Sequence, residues 1–228
     1  MTTEDNQLVG QAIDALLSPR HLHCADEILS RPSPVPKSPG VYAWYFDEVP
    51  LPLSTKKFHQ WRGYNLLYVG ISPCKRTPPS TRTLRFRMRD HFAGNAEGST
   101  LRKTLGCLLG DTLNIKLRCV GGGKRQTFTN PGERELDKWM RQHARVTWAV
   151  MESPWLAEER LLMRVPLPLN LQGNAHPFRC TLEGIRKAAK EAAVALEVIV
   201  DNGGPRRLPR LLRVSANLER PNEDDGHH

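Results

Sequence analysis

Two runs of apolar and aromatic residues stand out along the chain, Gly40–Phe46 and Asn65–Ile71. Aromatic and β-branched residues at this density over seven positions are typical of β-strands. Both runs are therefore predicted to be strands, paired as antiparallel neighbours. The polar, proline-containing stretch between them, 47–64, is too long for a tight turn and predicts a basic surface loop.

A helix is predicted over 81–92, where no proline interrupts the pattern. Leu84, Met88 and Phe92 recur every four positions, so they share one face of that helix. Arg87 and His91 have the same spacing and share another face.

The N-terminal region predicts two short helices and a connector. Apolar residues recur with helical spacing across 7–30, and Ser18-Pro19 divides that stretch in two. The segment 31–39 contains four prolines and is predicted to be extended.

Six further stretches have helical spacing or strand-like alternation. The predicted helices are 99–109, 133–143, 155–164 and 181–198, and the predicted strands are 114–120 and 146–150. Together these elements predict an α/β (α+β) fold, a small and mainly antiparallel β-sheet flanked by helices, with an N-terminal helical cap.

Composition narrows the class of partner. The chain has 228 residues, of which 39% are hydrophobic, so it can bury a core without disulfides or structural metals. Lys and Arg number 33 against 24 Asp and Glu, a net charge of +9. This excess favours a polyanionic partner such as nucleic acid, although a solvated basic surface would show the same balance.

Cysteine usage and the N-terminal residues favour a cytoplasmic protein. Five cysteines, an odd number with no C-x-x-C pair, predict reduced thiols. The first residues are acidic and polar, unlike a signal peptide, and no stretch approaches the ~20 apolar residues of a membrane span. We expect no membrane partner.

The tripeptides Gly40-Val41-Tyr42 and Tyr68-Val69-Gly70 lie on the two predicted strands. They resemble the signature tripeptides of the GIY-YIG nuclease family, which includes phage homing endonucleases and the incision subunit of bacterial excision repair. The chain also has, in the family's order, an Arg and a His on the next helix, then a Glu, an apolar pair and an Asn. These positions are Arg87, His91, Glu158, Leu161-Leu162 and Asn170.

The resemblance covers about Gly40 to Asn170 and shows two departures. Tyr42 and Tyr68 are 26 positions apart, and His91 and Glu158 are 67 apart, both longer than in compact relatives. The insertions, 47–64 and 93–150, leave the substrate unassigned, because surface loops commonly carry specificity.

The resemblance implies metal-dependent hydrolysis of phosphodiester bonds. Glu158 would hold one divalent ion, Mg²⁺ or Mn²⁺, since a carboxylate suits these hard cations. Glu159 is the alternative ligand, separated from Glu158 only by position relative to Leu161-Leu162 and Asn170.

The other matched residues receive roles from the same resemblance. Tyr42 would be the general base, and Tyr68 would orient water or phosphate. Arg87 would stabilise charge on the phosphate with its planar guanidinium. His91 would bind phosphate or relay a proton, and Asn170 would hold the cleft together through hydrogen bonds.

Further residues are candidates for nucleic-acid binding. Arg85 and Arg89 flank Arg87 and would contact neighbouring phosphates or solvent. Arg102 follows a helix start that Ser99 would cap, and it would touch phosphate or serve only at the cap. Asn174 and His176 would line the cleft beside Asn170, or form a turn in which Asn satisfies backbone groups.

The sequence thus predicts a metal-dependent endonuclease, acting on DNA in preference to RNA. The alternatives are a nucleic-acid-binding module that keeps the fold but does not cleave, and a domain that binds proteins through its N-terminal helices. Specificity would come from the insertions, from the basic segment 206–213 or from a protein partner, and the oligomeric state is open. The predicted division is 1–39 cap and connector, 40–180 nuclease domain, 181–204 C-terminal helix and 205–228 flexible tail.

Overall fold

The structure, a computed structural model, describes residues 3–50, 58–73 and 82–200. Within these ranges the chain alternates helices and short strands. The helices are α1 (Thr3–Leu17), α2 (Ala25–Leu29), α3 (Leu84–Ala93), α4 (Thr100–Leu108), α5 (Thr129–His143), α6 (Pro154–Arg164) and α7 (Phe178–Ala195). The strands are β1 (Gly40–Phe46), β2 (Gln60–Trp61), β3 (Tyr64–Ser72), β4 (Arg118–Val120), β5 (Arg125–Thr127) and β6 (Ala144–Val150).

Strand β1 lies inside an antiparallel sheet of order β2-β3-β1-β6. Every residue of β1 is buried. Its apolar run is continuous because helices cover both faces of the sheet, whereas a half-exposed strand would alternate with polar residues. The predicted fold class and the antiparallel pairing of the first two strands are confirmed.

Two hydrophobic clusters lie on opposite faces of the sheet. Tyr42, Trp44 and Phe46 point into the cluster shared with α3, α4 and α5. The alternate residues of β1, Val41, Ala43 and Tyr45, join the cluster formed with α1 and α6. The N-terminal helix α1 therefore shares a core with the sheet.

Helix α3 forms as its pattern predicts. Thr83 caps its first turn by accepting a hydrogen bond from Phe86 N. Leu84, Met88 and Phe92 are all buried, so the predicted apolar face is the one that packs on the sheet.

The predicted strand over 114–120 is shorter in the structure, and a second strand was missed. Only Arg118–Val120 forms β4, which pairs with β5. The preceding residues continue the turn after α4, where Ile115 N donates to Gly110 O and Asn114 has a φ of 50°. Local turn hydrogen bonds thus replace a partner strand there.

The predicted loop 47–64 contains the two residues of β2. Arg62 and Gly63, with φ of 49° and 83°, form the turn that folds β2 back onto β3. Two successive positive φ values are those of the tight hairpin turns that match strand twist.

Two predicted basic segments lie partly or wholly outside the part of the chain that the structure describes. Residues 51–57, with two of the loop's basic residues, and the basic segment 206–213 lie outside the described residues. Helix α7 packs against α4, and Ile199 pairs with Val120 of β4. No helix in the described part of the chain is both long and apolar enough to cross a lipid bilayer.

Candidate active site

Strand pairing places Tyr42 and Tyr68 on the same face of the sheet. Tyr42 lies opposite Gly70, and Tyr68 is two positions from Gly70 on β3, so the two side chains project to one side. The Tyr42 ring lies over Gly70: a Cβ at Gly70 would be 2.6 Å from the Tyr42 hydroxyl. The glycine of the second tripeptide therefore makes room for the tyrosine of the first.

The Tyr42 hydroxyl is the meeting point of two residues of α3. His91 Nε2 lies 2.9 Å from it, and Arg87 Nε donates to it at 3.4 Å. Tyr42 and His91 are both fully buried. The i, i+4 pair predicted on α3 thus converges on a single phenolic oxygen.

Arg87 lies between this buried pair and the surface. It is half-buried, and a second nitrogen, Nη1, donates to Gly98 O at 2.8 Å. Burial opposes its charge, but Tyr42, Tyr68 and Asp90 outweigh burial and raise the pKa of Arg87. Its guanidinium is therefore a fixed positive charge at this position.

Tyr68 is 8% exposed and lies in the same electrostatic environment. Burial raises the pKa of Tyr68 far above its usual range; Tyr42 and Glu158 add to this, and Arg87 and Arg186 oppose it. Tyr68 is therefore a neutral phenol at pH 7, close enough to all four groups to feel their charges.

Glu158, on α6, is the acidic member of this group. Burial, reinforced by the neighbouring carboxylate of Glu159, raises the pKa of Glu158 to about 7. Glu159 is exposed. A half-buried carboxylate near Tyr68 offers hard oxygen donors, so the donor chemistry fits Mg²⁺ or Mn²⁺ at Glu158.

Asn170 binds the backbone of the strand that carries Tyr68. Its Oδ1 accepts from Val69 N at 2.9 Å, and its Nδ2 donates to Val69 O at 2.8 Å. Leu169 N also donates to Leu67 O. The segment around Asn170 thus satisfies the edge of β3 as a neighbouring strand would.

The strand pair β1 and β3 thus carries or adjoins a buried tyrosine, an Arg-His pair, a second tyrosine and a glutamate. Residues 40–188, more than half of the chain, match the GIY-YIG catalytic domain family. The chain belongs to the GIY-YIG family. No curated protein and no solved structure matches it.

Membership of the GIY-YIG family confirms the resemblance found in the two tripeptides, and it indicates a nuclease family in general terms. The six matched residues remain a prediction as an active site. In the structure Tyr42, Arg87 and His91 touch directly, the charge of Glu158 helps to raise the pKa of Tyr68, and Asn170 supports Val69 beside Tyr68.

The structure contradicts the prediction that Arg102 touches nucleic acid. Its side chain is fully buried, with Nη2 at 2.6 Å from Glu133 and Nη1 at 2.8 Å from Asp137. Nη1 also donates to His91 O at 3.1 Å. The prediction was wrong because two acidic residues of α5, distant in sequence, neutralise this charge in the interior. The predicted helix cap is confirmed, since Ser99 accepts from Arg102 N.

The other nucleic-acid candidates differ in exposure. Arg89 is exposed, as a phosphate contact requires. Arg85 is half-buried and donates to Val35 O at 2.6 Å, so it fastens the proline-rich connector. Asn174 is buried and donates to Leu167 O and Asn170 O, which contradicts a nucleic-acid role and supports the turn alternative. His176 is half-buried, and its Nδ1 accepts from Phe178 N.

The contact of Ser99 with His91 and the part played by Arg186 at this site were not predicted from the sequence. Ser99 Oγ lies 2.7 Å from His91 Nδ1, a contact that its role as a helix cap did not predict. Arg186, on α7, is half-buried, donates to Thr104 at 3.1 Å and acts on Tyr68 electrostatically. No local pattern marks Arg186 among the basic residues of α7.

A separate group of metal-ligating types occurs near the N-terminus. His21, His23 and Glu27 place one ligand atom each within 4.8 Å of one another. Both Glu27 oxygens already accept hydrogen bonds, Oε1 opposite His21 and Oε2 from Cys24 N. This group is therefore accounted for by the cap of α2.

Proposed function

We propose that this protein is a metal-dependent endonuclease that hydrolyses phosphodiester bonds in nucleic acid, with DNA preferred to RNA. One observation carries the proposal: Arg87 and His91 converge on the Tyr42 hydroxyl in a chain that belongs to a nuclease family. The net charge of +9 suits a polyanionic substrate.

The proposed role of each residue follows from how exposed its side chain is. Arg87, the half-buried cation, binds a non-bridging phosphate oxygen and stabilises the charge that develops there. Tyr68, at 8% exposure, orients the phosphate or the attacking water. Tyr42 first loses its own hydroxyl proton to solvent and then, as a phenolate, accepts the proton of that water. Because Tyr42 is buried, water must reach it beside Arg87 when substrate binds.

Glu158 would hold the divalent ion, with Glu159 as the fallback ligand. When bound, Mg²⁺ or Mn²⁺ supplies positive charge that stabilises the phosphate and the leaving oxygen. A bound cation would favour the ionised form of Glu158 at pH 7, because its positive charge offsets the burial that otherwise favours the protonated form.

The test is cleavage of labelled duplex, branched and single-stranded DNA and RNA with Mg²⁺, Mn²⁺ or EDTA. Glu158→Ala and Arg87→Ala should each lower the cleavage rate at least ~100-fold. Glu159→Ala and Arg89→Ala are matched controls, one exposed carboxylate and one exposed guanidinium on the same helices. At saturating substrate both should cut within ~3-fold of the wild type. Cleavage that persists in EDTA, or in both site variants, would contradict the proposal.

A non-catalytic nucleic-acid-binding module is the second candidate, favoured by the complete burial of the Tyr42 side chain. This candidate predicts binding that weakens as salt rises, with no cleavage of any substrate in any metal. A protein partner that supplies specificity, and the division of the chain at 39, 180 and 204, remain predictions of the sequence.

A further inference from the structure

Ser99 connects the start of α4 to the buried histidine of α3. Its Oγ accepts from Arg102 N at 3.1 Å and lies 2.7 Å from His91 Nδ1. The other ring nitrogen of His91, Nε2, lies 2.9 Å from the Tyr42 hydroxyl. Ser99 and His91 have no exposed surface, so these contacts lie inside the protein.

The His91 ring is neutral in this environment. Burial, with the positive charges of Arg87 and Arg102, holds the pKa of His91 well below its usual range. A neutral imidazole carries one N–H and one lone pair, so it donates at one nitrogen and accepts at the other.

Counting donors at Ser99 favours the Nε2–H tautomer, which requires the Tyr42 hydroxyl proton to point away from His91. Ser99 has one hydroxyl proton, and its oxygen already receives the N–H of Arg102. If Nδ1 carried the ring proton, two N–H groups would point at Ser99 Oγ, and its own proton would need another acceptor. Among the contacts of the described residues, the acceptor within reach of that hydroxyl is His91 Nδ1 itself.

We propose that Ser99 is a positioning residue that holds His91 as the Nε2–H tautomer, so that His91 donates a hydrogen bond to Tyr42. This inference deepens the proposed function and rests on it only for its catalytic consequence. The Tyr42 oxygen then receives two N–H donors, His91 Nε2 and Arg87 Nε, which stabilise negative charge on it. His91 therefore supports the base and does not accept its proton.

Arg102 fixes both ends of this contact. Its backbone N donates to Ser99, and its guanidinium donates to His91 O. Glu133 and Asp137 hold that guanidinium in place. The ion pair that removes Arg102 from the surface thus keeps Ser99 and His91 at a constant separation.

The decisive experiment is a long-range ¹H–¹⁵N correlation spectrum of histidine-labelled protein at pH 7.5. The His91 signals are assigned by their loss in His91→Gln. We expect a protonated Nε2 and an unprotonated Nδ1, and the same signature in Ser99→Thr, which retains the hydroxyl. A protonated Nδ1 in the wild type would overturn the proposal.

Ser99→Asp tests whether the tautomer matters. An aspartate keeps a cap acceptor for α4 but has no proton to donate, so the ring proton should move to Nδ1. We expect kcat to fall ~10-fold with KM within ~3-fold, since the change acts on the base and not on substrate contacts. A moved proton with unchanged kcat would overturn the positioning role.

The spectra separate this inference from the proposed function. If the wild type shows the Nε2–H signature but cleaves no nucleic acid, the proposed function fails while the tautomer assignment stands. If Ser99→Asp does not fold, as judged by thermal unfolding, the wild-type and Ser99→Thr spectra still decide the assignment.

Discussion

The aromatic ring of Tyr42 occupies the space that a side chain at position 70 would fill if the residue were not glycine. A Cβ at Gly70 would lie 2.6 Å from the Tyr42 hydroxyl and 2.7 Å from its Cζ atom. The two tripeptides are therefore coupled through space: the tyrosine of one requires the glycine of the other.

Gly70→Ala should displace the Tyr42 ring from His91 and Arg87. We expect kcat to fall ~10- to 100-fold, because a misplaced base loses its alignment. The free energy of unfolding should fall by about 1–3 kcal/mol from overpacking. Steady-state cleavage and urea unfolding measure both quantities.

Gly10→Ala is the matched control for that substitution. Gly10 lies within α1, and a Cβ added there would meet no neighbouring atom within 4 Å. Alanine there should stabilise the protein by ~0.5–1 kcal/mol and leave cleavage unchanged. Full activity in Gly70→Ala would refute the coupling between Tyr42 and Gly70.

Asn170→Ala should destabilise the edge of β3. It leaves the N–H and C=O groups of Val69 without their side-chain partners, which should cost about 2–4 kcal/mol in urea unfolding. Asn170→Asp keeps the acceptor for Val69 N but loses the donor to Val69 O, so its loss should be intermediate. Equal stability of Asn170→Ala and the wild type would contradict this role.

Arg102 and Arg89 should respond in opposite ways to truncation. Arg102→Ala removes the positive charge beside the buried Glu133, and should cost about 3–5 kcal/mol of unfolding free energy. Arg89→Ala should barely change stability but weaken nucleic-acid binding and reduce the slope of log K against log salt by ~1. Binding in a salt series and thermal unfolding check the pair, and a reversed pattern would contradict the burial of Arg102.

Glu158 should make the metal-free protein less stable as the pH rises. Its pKa is about 7 in the folded protein and 4.5 in the reference state, so folding takes up a proton between these values. Its contribution to stability is therefore full below about pH 4.5 and lost as the pH rises through about 7. Glu158→Gln should stabilise the metal-free protein by on the order of 1 kcal/mol at pH 8, and not at pH 4.5.

Divalent ions should reverse this trend. Mg²⁺ or Mn²⁺ competes with the proton at Glu158, so the rise in thermal unfolding temperature on adding the ion should be larger at pH 8 than at pH 6. The rise should disappear in Glu158→Gln and persist in Glu159→Gln. The opposite result for the two variants would move the ion to Glu159.

Local regularities along the chain suffice to predict much of the fold. Strand β1 begins and ends where its apolar run does, and α3 buries the predicted Leu84, Met88 and Phe92. Strand β5 was missed and β4 is shorter than predicted, because short strands depend on a partner and on the turn hydrogen bonds beside them.

The sequence by itself determined which side chains share a face. Alternation along β1 places Tyr42 on the opposite side of the strand from Val41 and Ala43, and the helical repeat places Arg87 beside His91. These relations act over a few residues and follow from backbone geometry alone. Only the tertiary structure decided that Arg102 lies inside, that Ser99 contacts His91 and that Asn170 holds Val69. Burial of a charge and the direction of a hydrogen bond depend on partners that packing brings from distant parts of the chain, here Glu133 and Asp137 of α5.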